Sequence, residues 1–277
     1  MQSLVHPSDP IALSRPDTEE VKSAFARDGY FVFRNVVSKG KLTEVRNKIV
    51  EEFERTTRSG NFFSGGGRIS GHLNCSPGLE AKFAYDALEE HGIIDLAKAI
   101  LPRAAGGLRV GCNLNLPGSV AQHYHADGLF LEDFMVVNVA AVDTDIENGA
   151  IDVLPGTHRK FYEYWRFAVE RPYRNAKRLP LAQGDVLIRT SNLWHRGMPN
   201  FTTVPRPMLA FTLGENGSAD SSDPFRKNGG NVTFETNWYR DDFLGRLRER
   251  TFVKAPFTYN VYRFVRSLYG NKGYAAW

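Results

Sequence analysis

Short apolar stretches, some of which alternate with polar residues, dominate the middle of the chain. Five of them lie between residues 105 and 216 and are separated by turn signals such as PGS, ENG, PGT and QGD. They read LRVGCNLNL, FMVVNVAAVD, GAIDVLP, GDVLIRT and PMLAFTLG. A period of two with many β-branched residues is typical of β-strands. Strands this short and this closely spaced predict a mostly β fold, a jelly-roll or β-sandwich, rather than a parallel α/β sheet.

Helical patterning precedes this β-rich region. Asp17 stands at an N-cap position with Glu20 three residues later, and the helical pattern that follows ends at Gly29. The stretch YFVFRNVV then predicts a strand, and helices are predicted over about residues 41–59 and 86–101. We expect these helices to cover one outer face of the sheet.

Helical patterning returns late in the chain. A helical insertion is predicted near FYEYWRFAVE, and two short amphipathic helices are predicted at FLGRLRER and NVYRFVRSLYG. Amphipathic helices pack their apolar face on a neighbour and leave their arginines in water. The C-terminal helices are therefore expected to form a cap on the barrel.

No internal repeat and no long linker divides the chain, so we predict one domain over residues 1–277. Its parts are a tail (1–19), a helical support with a glycine-rich loop (20–104), the jelly-roll core (105–216) and the C-terminal cap (217–277).

The glycine-rich loop SGNFFSGGGRISG spans residues 59–71. It lacks the GK[ST] ending of a phosphate-binding loop. Two interpretations stay open, a plain surface connection and a mobile lid over a site. Phe62 and Phe63 at its centre are the reason to keep the second.

The strand at residues 108–116 has two different faces. Leucine, valine and cysteine alternate with Arg109, Gly111, Asn113 and Asn115. If helices cover the apolar face, Asn113 and Asn115 point into the barrel mouth, where their amides can contact a ligand. The opposite orientation, with both asparagines in water, stays open.

The composition favours a soluble protein with a sizeable core. The chain has 277 residues, 42% of them hydrophobic, and a formal net charge of +4. Its two cysteines, Cys75 and Cys112, favour a reducing compartment over a disulfide-stabilised secreted fold. The N-terminal stretch lacks the pattern of a signal peptide, and no apolar run reaches the roughly 20 residues of a membrane helix. We expect a cytoplasmic protein that binds no membrane.

The stretch QHYHADG carries three groups that bind metals. His123, His125 and Asp127 stand at alternate positions, and alternate side chains of an extended strand leave the same face. This spacing leaves open which two of them join a metal. Two further motifs, NGAIDVLPGTH and QGDVLIRTSNLWH, follow and end in His158 and His195, and Arg206 comes eleven residues after His195.

Two histidines and one carboxylate are the ligand set of non-haem Fe(II) oxygenases. They occupy one face of an octahedral ion and leave three adjacent positions, enough for a chelating 2-oxo acid and O2. Arg206 suits the far carboxylate of a 2-oxo diacid, because a planar guanidinium pairs with a carboxylate through two parallel hydrogen bonds.

In this order, QHYHADG, NGAIDVLPGTH, QGDVLIRTSNLWHRGMPN and PRPMLAFTL resemble the phytanoyl-CoA dioxygenase (PhyH-like) family, and ARDGYFVFRNVVS is similar to the start of its domain. The resemblance covers about residues 20–216. It implies a double-stranded β-helix, a jelly-roll barrel of the cupin-like kind, and an oxygenase that uses Fe(II), 2-oxoglutarate and O2. It implies His125, Asp127 and His195 as iron ligands and catalytic centre, and Arg206 as the 2-oxoglutarate clamp.

One departure from the family concerns the co-substrate. Many members have a Ser or Thr two residues after the distal histidine that helps bind 2-oxoglutarate, and here that position is Gly197. Thr190 and Thr202 are candidate substitutes, and Gln122 and Asn113 are further candidate contacts.

The substrate pocket is expected to include His123, Asn115 and Phe130, together with Phe62 and Phe63. Amides, an imidazole and aromatic rings favour a partly polar small molecule. For His123, a rim position without a catalytic part stays equally open. His158 is expected to be structural, because PGTH forms a turn. His72 is expected at the surface, with a position near the substrate left open if the glycine-rich loop closes.

The leading hypothesis is hydroxylation of a small molecule with release of succinate and CO2. Asp127 argues against halogenation, because halogenating members have a small residue there. Desaturation, ring closure and epimerisation by the same centre stay open. The alternative is a non-oxygenase metal-binding barrel, a cupin-type isomerase or small-ligand binder, which has no need of Arg206. A nucleic-acid-binding module based on the arginine-rich C-terminal region is disfavoured by the small net charge.

Overall fold

The structure is a computed structural model that describes residues 18–58, 64–67, 70–214, 223–234 and 242–269. Two of the residues singled out above, Phe62 and Phe63, lie outside these ranges, as does Asp17.

The described residues form seven α-helices and eleven β-strands. The helices are α1 (Thr18–Asp28), α2 (Lys39–Arg58), α3 (Lys82–Glu90), α4 (Ile93–Ile100), α5 (Tyr164–Glu170), α6 (Phe243–Lys254) and α7 (Pro256–Leu268). The strands are β1 (Tyr30–Phe33), β2 (Ser64–Gly67), β3 (His72–Ser76), β4 (Leu108–Asn115), β5 (Met135–Ala140), β6 (Ile151–Val153), β7 (Lys177–Leu179), β8 (Val186–Thr190), β9 (His195–Arg196), β10 (Arg206–Leu213) and β11 (Thr233–Phe234).

The strands build two antiparallel sheets. The major sheet has the order β1-β8-β5-β10-β4-β3-β11, with β2 paired to β3, and the minor sheet has the order β7-β6-β9. Hydrogen bonds between the named strands do not join the two sheets into one continuous barrel. The predicted mostly β architecture with flanking helices is confirmed.

The main hydrophobic core lies between the major sheet and helices α1 to α4. Leu42 and Ile49 of α2 are fully buried there together with Leu114 and Cys112 of β4. Burial of these side chains is the main stabilising term of the layer. The apolar face of β4 is therefore the helix-covered face, as predicted, and Asn113 and Asn115 point away from the helices.

Two smaller cores determine where a site can lie. Leu187 and Met208 of the major sheet pack with Leu181 and with Ile151 of the minor sheet. This cluster fills one end of the space between the two sheets. The second cluster, around Trp194, joins the minor-sheet side of the fold to α5 and α7. The predicted C-terminal cap therefore docks next to the strand that contains His195.

The prediction of one continuous helix over residues 86–101 was wrong. Two helices, α3 and α4, are separated at Gly92, whose φ of +70° places it in the left-handed region that ends helices. Strand β3 was not predicted, because HLNCS alternates polar and apolar residues over only five positions. No helix in the described ranges is long and apolar enough to cross a membrane.

Candidate metal centre and co-substrate pocket

Three of the predicted ligands meet at one point. His195 lies on β9, and His125 faces it across an isolated antiparallel bridge in which each backbone N–H donates to the other's carbonyl. Asp127 follows two residues later and donates its own N–H to the carbonyl of Ser191. The ligand atoms of the two imidazoles and the carboxylate all lie within 4.8 Å of one another. Of the two histidines in QHYHADG, His125 is therefore the one that joins the cluster.

Both imidazole rings are oriented for coordination. Nδ1 of His125 donates to the carbonyl of His123 at 2.8 Å, and Nδ1 of His195 donates to the carbonyl of Leu193 at 2.9 Å. Each Nε2 then lies 3.7 Å from a carboxylate oxygen of Asp127. A histidine ligand whose second nitrogen donates to a backbone carbonyl is the usual arrangement at metal sites. Two nitrogen donors and one carboxylate oxygen fit a divalent transition metal.

The charge state of the cluster suits metal binding. Burial, followed by the nearby Arg189, lowers the pKa of His195 to about 3, and burial also lowers the pKa of His125. Burial alone would raise the pKa of Asp127, but Arg189 and both histidines hold it well below its ordinary value. At neutral pH the site therefore presents two neutral imidazoles and one carboxylate. Asp127 keeps 30% of its side chain exposed, so the cluster is open on one side.

Arg206 is a buried cation at the start of β10. Its Nε and Nη2 donate to the carbonyls of Asn148 and Gly149 at 3.2 and 3.0 Å. Burial lowers its pKa to about 10, so it remains charged at neutral pH. Within the described ranges, no carboxylate lies within ion-pairing distance of it. A buried charge without a counterion is costly, and a bound anion would compensate it.

One predicted substrate residue, Asn115, and one predicted co-substrate contact, Gln122, lie near this part of the site. Asn115 is paired with Arg206 across β4 and β10, is fully buried and donates from Nδ2 to the carbonyl of Met198. The side chain of Gln122 accepts a 2.8 Å hydrogen bond at Oε1 from the N–H of Gly197. Thr202 is instead engaged with Asn200 in its own loop.

Thr190 and Asn113 do not lie where they were expected. Arg189 points to Asp127, so the next residue of β8, Thr190, points to the opposite face. There it lines a cavity with Phe25 and His158 on the helix side of the sheet, and the expected co-substrate contact was wrong. Asn113 shares a face with Asn115 but is exposed and donates to the side chain of Asn74.

His123 and Phe130, two predicted substrate residues, both pack against other aromatic rings. The ring of His123 lies 4.5 Å from the ring of Tyr259 of α7 and hydrogen bonds to the Asn260 side chain and the Phe252 backbone. It is therefore a contact between the ligand segment and the cap. Phe130 packs edge-on against Phe161, with 5.9 Å between the ring centroids.

Two residues of the site were missed. His72 was expected at the surface, but it is buried on β3, its Nε2 donates to the carbonyl of Val120 at 2.6 Å, and it acts electrostatically on Arg206 and His125. Arg189 was not noted at all. A lone charged residue in the apolar strand VLIRT was the signal that could have identified it. His158 packs beside Phe25 of α1 in the PGTH turn, in agreement with a structural part.

Three solved structures share the fold. The carbocyclase SnoK, described as non-heme and alpha ketoglutarate dependent and from nogalamycin biosynthesis, has a TM-score of 0.57 at 17% identity, over 82% of this chain and 90% of SnoK. The epimerase SnoN, in complex with Fe3+, alpha ketoglutarate and nogalamycin RO, has a TM-score of 0.52 at 20% identity, over 75% and 92% of the two chains. AviO1 from Streptomyces viridochromogenes Tue57 has a TM-score of 0.53 at 20% identity, over 75% and 98%.

The sequence profile of the phytanoyl-CoA dioxygenase (PhyH) family matches residues 25–208, which is well over half of the chain. The matched range includes all three members of the His-Asp-His cluster and Arg206. The chain belongs to the phytanoyl-CoA dioxygenase (PhyH) family.

Proposed function

We propose that this member of the family, an iron- and 2-oxoglutarate-dependent oxygenase, hydroxylates a partly polar small molecule. In the overall reaction one atom of O2 enters a C–H bond of the substrate as a hydroxyl group. The other enters succinate, which forms as 2-oxoglutarate loses CO2, so atoms and electrons balance.

His125, Asp127 and His195 would hold the metal ion, since they supply two neutral nitrogen donors and one carboxylate oxygen with a common focus. Bound Fe(II) supplies the activation of O2. The chain itself orients these donors through the carbonyls of His123 and Leu193 and through Arg189, which holds Asp127. The open side of the cluster leaves room for co-substrate and substrate.

The single observation that carries the proposal is the buried, uncompensated guanidinium of Arg206. A metal-binding barrel without an oxo-acid co-substrate has no use for a buried cation beside its metal centre. The distal carboxylate of 2-oxoglutarate would neutralise the charge of Arg206. The guanidinium already donates to two carbonyls, and its remaining N–H groups can donate to this carboxylate.

Gln122 is the next contributor to co-substrate binding in this proposal. Because its Oε1 accepts from the N–H of Gly197, its Nε2 points away from Gly197 and is available as a donor. Asn115, beside Arg206 on β4, contributes an amide to the same pocket. A donor-rich pocket of this kind supports a partly polar substrate.

Epimerisation and ring closure form the second candidate outcome. The epimerase SnoN and the carbocyclase SnoK share this fold, so the same scaffold is compatible with either reaction. Turnover under 18O2 separates these outcomes once a substrate is found. Hydroxylation places one 18O atom in the product, whereas epimerisation and ring closure place none.

The first test is an anaerobic titration of the Fe(II)-loaded protein with 2-oxoglutarate, followed through the visible charge-transfer band. We expect the band in the wild type and in His123→Ala and its loss in His125→Ala and His195→Ala. Arg206→Ala should require at least about tenfold more 2-oxoglutarate, because it loses a charge-assisted bidentate contact. Iron-loaded wild type without a band would contradict the proposal and favour the non-oxygenase barrel.

A further inference from the structure

Gly197 is a glycine for reasons of space. Its φ lies outside the left-handed region, so its backbone suits any residue, but a Cβ there would meet two side chains. It would lie 2.8 Å from Oε1 of Gln122, 2.9 Å from Cε1 of His72 and 3.1 Å from Nδ1 of the same ring. The ring of His72 therefore occupies the space into which a side chain at position 197 would extend.

His72 belongs to a row of three buried polar residues. It pairs with Asn115 across β3 and β4, and Asn115 pairs with Arg206 across β4 and β10. Residues directly opposite one another on antiparallel strands project to the same face. His72, Asn115 and Arg206 are 8%, 1% and 7% exposed, so this row forms a buried polar wall of the pocket.

This wall has hydrogen-bonding capacity that the described residues leave unused. Nε2 of His72 donates to Val120, which leaves Nδ1 without a partner among them. Oδ1 of Asn115 is buried and has no partner there either. A buried polar atom without a partner is costly, so Oδ1 of Asn115 points to a ligand beside the ring of His72.

We infer that His72 is a positioning residue for 2-oxoglutarate, whose distal carboxylate lies between Arg206 and a His72 ring that fills the place of the absent side chain at position 197. The inference rests on the proposed function. It adds a residue from a strand outside the ligand motifs and explains how the chain manages without a hydroxyl two residues after His195.

The contact has a proton requirement. Because Nε2 donates to Val120, Nδ1 can donate to a carboxylate only when the ring holds two protons. Burial first, and then the nearby Arg206 and His125, the charged and titratable groups that act on it, lower the pKa of His72 to about 4. A bound carboxylate acts in the opposite direction, so we expect binding to take up one proton from solution.

The experiment measures the dissociation constant of 2-oxoglutarate from the anaerobic charge-transfer band in the Fe(II)-loaded protein. It compares the wild type with His72→Ala, Gly197→Ser and the double variant. His158→Ala is the matched control, because it removes another partly buried histidine on the helix side of the sheet. Iron affinity is measured for each variant by chelator competition.

We expect His72→Ala to weaken binding about tenfold, the size of one lost hydrogen bond to a charged group. Gly197→Ser should also weaken it, because the new side chain collides with His72 and Gln122. In the double variant the introduced hydroxyl has the space of the ring, and affinity should return to within about threefold of the wild type. His158→Ala should bind like the wild type.

Calorimetry in buffers of different ionisation enthalpy gives the second readout. The wild type should take up close to one proton per 2-oxoglutarate bound, and His72→Gln, which keeps an amide donor and most of the volume, should take up none. If His72→Ala does not fold, the proton uptake of His72→Gln still tests the inference.

Wild-type affinity in His72→Ala, a double variant no tighter than His72→Ala, or equal proton uptake in wild type and His72→Gln would each overturn the inference. An iron-loaded wild type that binds no 2-oxoglutarate would overturn the proposed function as well. The two failures are therefore distinguishable by the wild-type titration alone.

Discussion

Nη2 of Arg189 donates a 2.8 Å hydrogen bond to Oδ2 of Asp127, the one carboxylate of the candidate metal centre. The Arg189 side chain is almost fully buried, and its Nε and Nη1 have no partner within the described ranges. Among the described residues, Asp127 is therefore the hydrogen-bond partner of this guanidinium. It supplies a positive charge beside the carboxylate when no metal is bound and keeps the pKa of Asp127 low.

Replacing Arg189 by methionine should destabilise the metal-free protein strongly. The variant leaves the partly buried Asp127 without its cation; breaking a fully buried pair costs about 3 to 5 kcal/mol, and the 30% exposure of Asp127 should reduce this loss to about 2 kcal/mol. Saturating Mn(II) should then restore more stability than in the wild type, because the metal ion replaces the lost charge. Urea unfolding with and without Mn(II) measures both effects.

Arg178→Met is the matched control for this prediction. It removes an arginine from Asp152, but that carboxylate keeps Arg196 as a second partner. The loss of stability in Arg178→Met should be smaller than in Arg189→Met, because Arg196 still neutralises Asp152, and the response to Mn(II) should equal that of the wild type. Metal-free Arg189→Met with wild-type stability would show that Asp127 does not depend on Arg189.

The stability of the metal-free protein should fall as the pH decreases from about 6.5 to 4. Burial lowers the pKa of His72 to about 4 and of His195 to about 3, against an ordinary value of 6.5. Below pH 6.5 the unfolded chain binds protons that the folded protein does not, so this contribution is complete above 6.5 and is lost on acidification. Each histidine adds a slope of about 1.4 kcal/mol per pH unit.

Urea midpoints at pH 7.5, 6 and 5 measure this slope. His72→Gln should have a slope that is shallower by about one proton, because it removes one of the histidines whose pKa is lowered by burial. An unchanged slope in this variant would mean that His72 is solvated in the folded protein.

Gly149→Ala should be far more damaging than Gly118→Ala. Both glycines have a positive φ, +85° and +72°, so both variants incur the left-handed backbone cost of about 1 kcal/mol. A Cβ at Gly149 would also lie 2.4 Å from the carbonyl of Met198 and 2.5 Å from Nδ2 of Asn115, whereas a Cβ at Gly118 meets nothing within 4 Å.

Because the Gly149 carbonyl accepts a hydrogen bond from Arg206, the Gly149→Ala variant should also weaken 2-oxoglutarate binding. Urea unfolding and the anaerobic titration measure the two effects. We expect a stability loss of about 3 kcal/mol for Gly149→Ala. Similar losses in both variants would mean that the loop around Gly149 relaxes without strain.

His123→Ala should loosen the C-terminal cap without removing the metal. The ring lies on Tyr259 and hydrogen bonds to Asn260, both in α7, while the metal cluster uses His125. Amide hydrogen exchange in α7 should accelerate, and Mn(II) affinity should stay within about threefold of the wild type. A loss of metal as large as that of His125→Ala would instead make His123 a ligand.

Arg263→Met should undock α7 more than Arg266→Met does. The Arg263 guanidinium is fully buried, lies 4.0 Å from the centroid of the Tyr164 ring and donates to the carbonyl of Tyr124. Arg266 is exposed. We expect losses of about 3 kcal/mol for Arg263→Met and below about 0.5 kcal/mol for Arg266→Met, measured by thermal unfolding.

The Arg263 contact extends to Trp194, 5.6 Å away and next to the ligand His195. Tryptophan fluorescence should therefore shift in Arg263→Met and not in Arg266→Met. An unshifted spectrum would show that the cap and the metal strand are independent.

The sequence by itself determined the elements and the chemistry that are encoded locally. Period-two alternation identified β4, and short apolar runs between turn signals identified β5, β8 and β10, because a strand buried on both faces is apolar throughout. The resemblance of QHYHADG and the later motifs to a known family was enough to predict the cluster of His125, Asp127 and His195, whereas the clamp role of Arg206 stays a prediction.

Only the tertiary structure decided which face of each strand looks at the site. Thr190 and Arg189 are neighbours in sequence, and one residue of register separates the helix side from the metal side. His72 became a pocket residue only because β3 pairs with β4 in the register that places it beside Asn115 and Arg206. Registers of this kind are set by contacts between distant segments, so no local pattern of residues contains them.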